Sequence, residues 1–299
     1  MRILALCYPM FNGKLHTCGA KQNYVLLAPN DILRGLERKG VAVELVSLYQ
    51  PVEFPLPCGM KIRSISEATP GADVYLHMFR DPTEPEVLEE LDAWRLPPRP
   101  TLNDAFKLRD HSKWKYMPIL QKHGLASEIV APPKDVQWTA SYHNVKFSAD
   151  YKLIETAAFN NNHWQYPERR GRERIVTKFV DNATNGIRSA FRIGYVLGRF
   201  TTGWLYMVPA DQRVIKSGNY AHATPFDLPR RHAKPLGEAL RELDVDYCHV
   251  EGCFVHDKMF VFDINPHPTS CGNTMSYITD DLAEIMIERL GEMLKGETR

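Results

Sequence analysis

Tyr247-Cys248-His249-Val250-Glu251 and Met259-Phe260-Val261-Phe262-Asp263-Ile264-Asn265-Pro266 decide how the rest of the chain is read. Each reads as a strand, the first running on through Cys253-Phe254-Val255, with polar His256-Asp257-Lys258 as the turn of a hairpin. Alternate residues of a strand share a face, so Asp263 and Asn265 are expected on one side and Phe262 and Ile264 on the other. Glu251 lies in the partner strand within reach of the first pair. Two carboxylates and an amide oxygen are hard ligands suited to Mg²⁺, which binds through one or two carboxylates plus substrate phosphates. A solvated acidic turn is the bland alternative for an isolated Asp-x-Asn-Pro, and the surrounding chain has to decide between them.

The chain has 299 residues, 44% of them hydrophobic, enough for two domains or one domain with lobes. A net charge of +1 gives no general attraction for nucleic acid or an anionic membrane, and neither is expected as a partner. The basic run Arg169-Arg170-Gly171-Arg172 reads first as a solvated loop. No apolar run is long enough for a membrane span. The six cysteines show no CxxC spacing, which suits free thiols in a reducing cytoplasm.

Upstream, residues 1–100 alternate strand and helix signals. Ile3–Tyr8, Val41–Leu48 and Ala72–Met78 read as strands. A helix over Ile32–Lys39 stops at Gly40, and another covers Glu84–Trp94 with Thr83 and Glu86 spaced as a capping box. This βαβ rhythm implies an N-terminal open parallel sheet domain, with Leu96-Pro97-Pro98-Arg99-Pro100 leading out of it. A helix over Ser112–His123 follows, which Pro118 is expected to kink or split. Residues 125–174 read as irregular and polar. Ile175–Asp181, Phe191–Leu197 and Trp204–Val208 read as strands, and Leu236–Leu243 and Leu282–Leu294 as helices.

Taken in order, these segments resemble the ATP-grasp superfamily, in particular its ribosomal-protein and amino-acid ligases. The likeness rests on Pro100-Thr101-Leu102-Asn103 before Ser112-Lys113 and Leu120-Gln121-Lys122-His123-Gly124. It continues through Ile175–Asp181, similar to the family's hinge strand, Phe191–Arg199, Val214–Asn219 and the acidic hairpin, about residues 100–270 in all. The resemblance implies an α/β protein with α+β lobes: domain 1–100 before an ATP-grasp-like two-lobed domain 101–299, in which 125–174 form a reduced or atypical small lobe. Two departures stand out. The acids of the metal hairpin are exchanged, as Glu251 and Asp263, and the stretch Asn144–Lys152 has none of the glycines that let a backbone close over phosphates.

The same resemblance implies roles by residue. Glu251, Asp263 and Asn265 would hold Mg²⁺. Lys113 and Lys146 would hold ATP phosphates, with Lys152 as the alternate to Lys146. Thr177, Lys178 and Val180 would offer backbone groups to adenine, and Asp181 would take the ribose hydroxyls. Arg192 and Lys216 would stabilise the transferred group. Read without the family, Arg192 in an apolar strand needs an ionic partner, for which Glu251 and Asp263 are candidates. Lys113 opposes the dipole of the helix it opens. Cys248 to Cys271 with His249, His256 and His267 raise zinc, but at no spacing that suits it. The expected activity is ATP- and Mg²⁺-dependent joining of a carboxylate to an amine on a small molecule or peptide. A small-molecule kinase and a non-catalytic nucleotide- or partner-binding protein are the alternatives. Oligomeric state is left open, a homodimer included.

Overall fold

The computed structural model describes residues 1–7, 10–11, 14–15, 32–33, 35–47, 62–64, 71–78, 89, 91–93, 96–108, 113–140, 145–155, 174–213, 222–266 and 274–296. The first sheet is built from β1 (Arg2–Cys7), β4 (Ala42–Ser47), β5 (Ile62–Ser64), β6 (Val74–Met78) and β7 (Thr101–Leu102), after a short β2–β3 pair (Met10–Phe11, Lys14–Leu15). Its order is β5-β4-β1-β6-β7 and every pairing is parallel. β6 is buried at all five positions, as expected of a parallel strand covered on both faces. Helical residues 32–33 and 35–38 end at Gly40, whose φ of +81° suits a residue without a Cβ. The start of the helix expected over Glu84–Trp94, with its capping box, lies outside the described residues.

After the short α1 (Ala105–Leu108), α2 (Lys113–Lys122) keeps Pro118 inside one continuous helix rather than splitting there. Pro118 is exposed, so the bond it cannot make falls on the solvent side. The stretch read as irregular holds four short strands, β8 (Ile129–Val130), β9 (Thr139–Ala140), β10 (Val145–Phe147) and β11 (Tyr151–Glu155). With β12 (Arg174–Lys178) they form an antiparallel sheet of order β8-β12-β11-β10-β9, which makes the small lobe. Runs of two to five residues are too short to display an alternating pattern, and only pairing reveals them.

The large lobe has β13 (Ile187–Val196), β14 (Arg199–Phe200), β15 (Gly203–Pro209), β16 (His222–Phe226), α3 (Arg230–Glu242), β17 (Tyr247–Val255), β18 (Lys258–Asn265) and α4 (Thr274–Leu294). The sheet order is β16-β15-β13-β17-β18, with β14 paired to β13. One face buries Phe191, Ile193, Tyr195, Cys248, Val250 and Ile264 with Leu236, Ala239 and Leu240 of α3 and Met117 and Leu120 of α2. At one end of the opposite face, Val196 and Tyr247 join Leu282, Ala283 and Met286 of α4 and the N-terminal sheet in a second core. The remainder of that face carries the polar residues described below.

Asn103 fastens the N-terminal sheet to this lobe. It sits at φ +50°, a conformation Asn tolerates better than most residues. Its Nδ2 donates to the carbonyls of Tyr247 (2.8 Å) and Pro266 (2.7 Å), and its Oδ1 accepts from the amides of Asp246 (2.9 Å) and Tyr247 (3.2 Å). Its own N–H donates to Asp246 Oδ2 at 2.7 Å. Asn103→Ala leaves up to four buried groups without partners, so a stability loss of about 2–4 kcal/mol is expected in urea denaturation.

Candidate active site

β17 and β18 form a hairpin with a two-residue turn at His256 and Asp257, and Lys258 already belongs to β18, opposite Val255. Glu251 lies directly across from Asp263, and Arg192 of β13 lies across from Glu251 on its other side. Residues opposed in a ladder share a face, so Arg192, Glu251 and Asp263 make one polar row. The next row holds Gly194, His249 and Asn265.

The register shifts between Glu251 and Gly252, leaving Phe262 as an extra residue in β18. Such a bulge re-aims a side chain. Phe262 was expected to face away from Asp263. Instead its ring lies under Lys152 of the small lobe, whose Nζ is 5.0 Å from the centroid. Ile264 does face the core as expected.

Two carboxylates directly opposed repel each other, and positive groups on either side offset this. Arg192 pairs with Glu251. Lys113 Nζ donates to Asp263 Oδ1 at 2.6 Å, to Tyr116 OH at 2.7 Å and to the Phe262 carbonyl at 3.2 Å. Tyr116 OH donates to the same Asp263 oxygen at 2.8 Å. Lys113 and Tyr116 are three residues apart in α2 and so share one helix face. Burial alone would raise the Asp263 pKa, but Lys113 and Tyr116 outweigh it and hold the carboxyl well below its usual range. The Asp263 side chain keeps 44% of its surface exposed, so its carboxylate remains accessible. Burial, then the charge of Lys113, lowers Lys152 to about 8.

Register also separates the two candidate phosphate lysines. Lys146 pairs with Leu153 and Ala140, whereas Lys152 pairs with Phe147 and Thr177. They therefore lie on opposite faces of the small-lobe sheet, and Lys152, the alternate in the sequence, is the one that meets the acidic row. Lys178 is also on the far face, exposed and 2.6 Å from Glu128. Thr177 is buried. The Lys178 and Phe179 amides donate to the carbonyls of Glu128 (3.0 Å) and Asp150 (2.7 Å), so the first hinge amide past these is that of Val180. Asp181 accepts from the Ala183 amide at 2.9 Å and pairs with Arg188 at 2.9 Å; the Ala183 bond first, then Arg188, draws its pKa down against burial. Lys216, with Val214–Asn219, and His267 lie outside the described residues.

Cys248 and Cys253 are buried free thiols, and burial raises both pKa values, that of Cys253 to about 12. Buried thiols of this kind are inert. Among the described residues, no three His, Cys, Asp or Glu side chains gather to hold a metal, so no zinc site forms there. Among them, too, no helix is long and apolar enough to cross a membrane.

Against known proteins, no family model matches the sequence, and no curated protein matches it. Solved structures do. A D-alanine–D-alanine ligase from Bacillus anthracis, complexed with ATP, superposes with a TM-score of 0.56 over 99% of both chains at 12% identity. The chain has the ATP-grasp fold. Two further ATP-grasp ligases agree, each covering 96% of this chain and 97% of its own at a TM-score of 0.52. One is PsnB, complexed with a minimal precursor, Mg and ADP, at 11% identity; the other is a Chryseobacterium gregarium RiPP-associated ligase with ADP and leader and core peptide, at 12%. In this chain, sequence reasoning gave Tyr116 no place beside Asp263 and put Lys152 after Lys146. Helical spacing from Lys113 was the available signal for the tyrosine.

Proposed function

We propose that the protein is an ATP- and Mg²⁺-dependent carboxylate–amine ligase that acts through an acyl phosphate on a small molecule or peptide. The observation that supports it best is the row Arg192, Glu251, Asp263 and Lys113, met from the facing lobe by Lys152. The ligase structures complexed with ATP, or with Mg and ADP, favour the same reading.

The opposed carboxylates need positive charge beside them, and two side-chain cations supply it here. A divalent ion meets the same need through hard oxygen donors, so Glu251, Asp263 and Asn265 fit Mg²⁺. When bound, the ion offsets charge on the phosphate oxygens. Lys113 and Lys152 then bind phosphate oxygens in place of carboxylate and ring. Val180, past the amides that Lys178 and Phe179 already give to Glu128 and Asp150, presents the hinge backbone to adenine, and Asp181 shares its carboxylate between Arg188 and the ribose.

A substrate carboxylate oxygen attacks the γ-phosphorus, and the bond to the β-phosphate oxygen breaks to release ADP. Arg192, with its planar fork of donors, holds the charge of the acyl phosphate; Lys216 is a second cation for that task. The amine nitrogen attacks the acyl carbon, phosphate leaves with the bonding electrons, and the nitrogen loses a proton.

Screening ADP formation against amino acids, peptides and hydroxy acids tests this. Release of ADP and free phosphate that needs both a carboxylate and an amine is expected. Phosphate retained on a hydroxyl product would show a kinase instead, and ATP binding without ADP release would show a binding protein.

A further inference from the structure

Lys113 and Tyr116 meet Asp263 on the same atom. Lys113 Nζ donates to Oδ1 at 2.6 Å, and Tyr116 OH donates to it at 2.8 Å. Chemistry fixes the direction of each bond. An ammonium only donates, so in the 2.7 Å contact between Lys113 Nζ and Tyr116 OH the hydroxyl is the acceptor, and its own proton goes to Asp263. An ionised carboxylate has about four acceptor sites, about two on each oxygen. Lys113 and Tyr116 take those of Oδ1, and Oδ2 lies outside both bonds.

The two donors differ in what they can do next. The Lys113 side chain is 25% exposed on a flexible stem, so its ammonium can turn from the carboxylate to a phosphate oxygen. Tyr116 is 2% exposed, its ring packed in the core with Met117, Leu120 and Ile264. Swinging that ring would open a void in a close-packed interior, so its hydroxyl stays. The hydroxyl then has a task. The carboxylate torsion of an aspartate is broad and roughly two-fold, and without a fixed donor the two oxygens would exchange places. A cation that also reaches Glu251, directly across, meets a donated proton at Oδ1, whereas Oδ2 offers lone pairs that these bonds do not use.

We propose that Tyr116 is a positioning residue that keeps Oδ1 of Asp263 engaged when Lys113 turns to the phosphates, so that Oδ2 is the oxygen given to the divalent cation. This rests on the Mg²⁺-ATP reading of the site and names the residue that orients its carboxylate.

The test compares the full native chain with Tyr116→Phe, which keeps the ring and removes only the hydroxyl. Mn²⁺ stands in for Mg²⁺, and its affinity at saturating ADP is read by electron paramagnetic resonance. Tyr116→Phe is expected to weaken Mn²⁺ binding about tenfold, as loss of a hydrogen bond to a metal ligand does, while ADP affinity without metal is unchanged. The same Mn²⁺ affinity in both proteins overturns the proposal. So does an equal loss of metal-free ADP affinity, which would mark the hydroxyl as a support of the whole site. A crystal structure of the native chain with Mn-ADP decides independently of the variant. The ion is expected on Asp263 Oδ2, with Tyr116 OH still about 2.8 Å from Oδ1 and Lys113 on a phosphate oxygen. An ion on Oδ1, a tyrosine turned away, or Lys113 still on the carboxylate overturns the proposal. No Mn²⁺ bound by the native chain beyond what ADP itself holds would refute the metal reading beneath it, and the assignment with it.

Discussion

Replacing Asp263 by alanine is expected to reduce ADP formation about 10²–10³-fold, the scale on which preorganised charge in a reactive site operates. Asp263 receives both Lys113 and Tyr116 and lies opposite Glu251, so one change removes an acceptor from two groups and half of the carboxylate pair. The stability cost is smaller. Side-chain exposures of 25% for Lys113 and 44% for Asp263 mean that water screens much of their attraction, and about 1–2 kcal/mol is expected. Asp263→Asn separates the two effects, because an amide of the same shape still accepts from Lys113 but brings no charge to a metal. Its urea midpoint should stay near that of the native chain while turnover falls as far as in the alanine variant. Equal, small losses in both assays would mean the carboxylate only supports packing.

Lys152→Met is expected to lower kcat/KM for ATP about 10²-fold, whereas Lys146→Met changes it by less than about threefold. The difference rests on register. Lys152 shares a face with Thr177 and reaches Phe262, while Lys146 shares the other face with Leu153. A pH dependence accompanies it. Burial and Lys113 set the Lys152 pKa at about 8, so the ammonium that attracts a phosphate is present below that pH and lost above it. ATP affinity should therefore be highest below about pH 8 and fall as pH rises through it, by up to about tenfold per unit. For folding the sign is opposite. A lysine whose pKa is depressed below its unfolded value makes the fold more stable as pH rises from about 8 toward the unfolded lysine range. Lys152→Met should abolish both slopes, and calorimetry across this range with each variant checks it.

The sequence made the acidic hairpin visible because its alternation is strict from Tyr247 to Glu251 and from Asp263 to Asn265. Alternation cannot reveal an inserted residue, which is why Phe262 was assigned to the wrong face. The parallel strands β1, β4 and β6 were legible as apolar runs between helices. The small lobe was not, since β8 to β11 have two to five residues each and gain their identity from neighbours. The choice between Lys146 and Lys152 belongs to the same gap, because only the pairing of β10 with β11 shows that they point apart. Asn103 stood in the motif that carried the resemblance, but its task depends on Tyr247 and Pro266, 144 and 163 residues away in sequence. Long-range partners of that kind leave no local signature.

Calorimetric titration of ATP into the full chain, with and without Mg²⁺, beside the double variant Asp263→Ala/Asn265→Ala, is the most direct test of the site. The account requires tight binding by the native chain that depends on Mg²⁺, and loss of that dependence in the double variant. Equal affinity in both proteins, whether or not the ion is present, would contradict it.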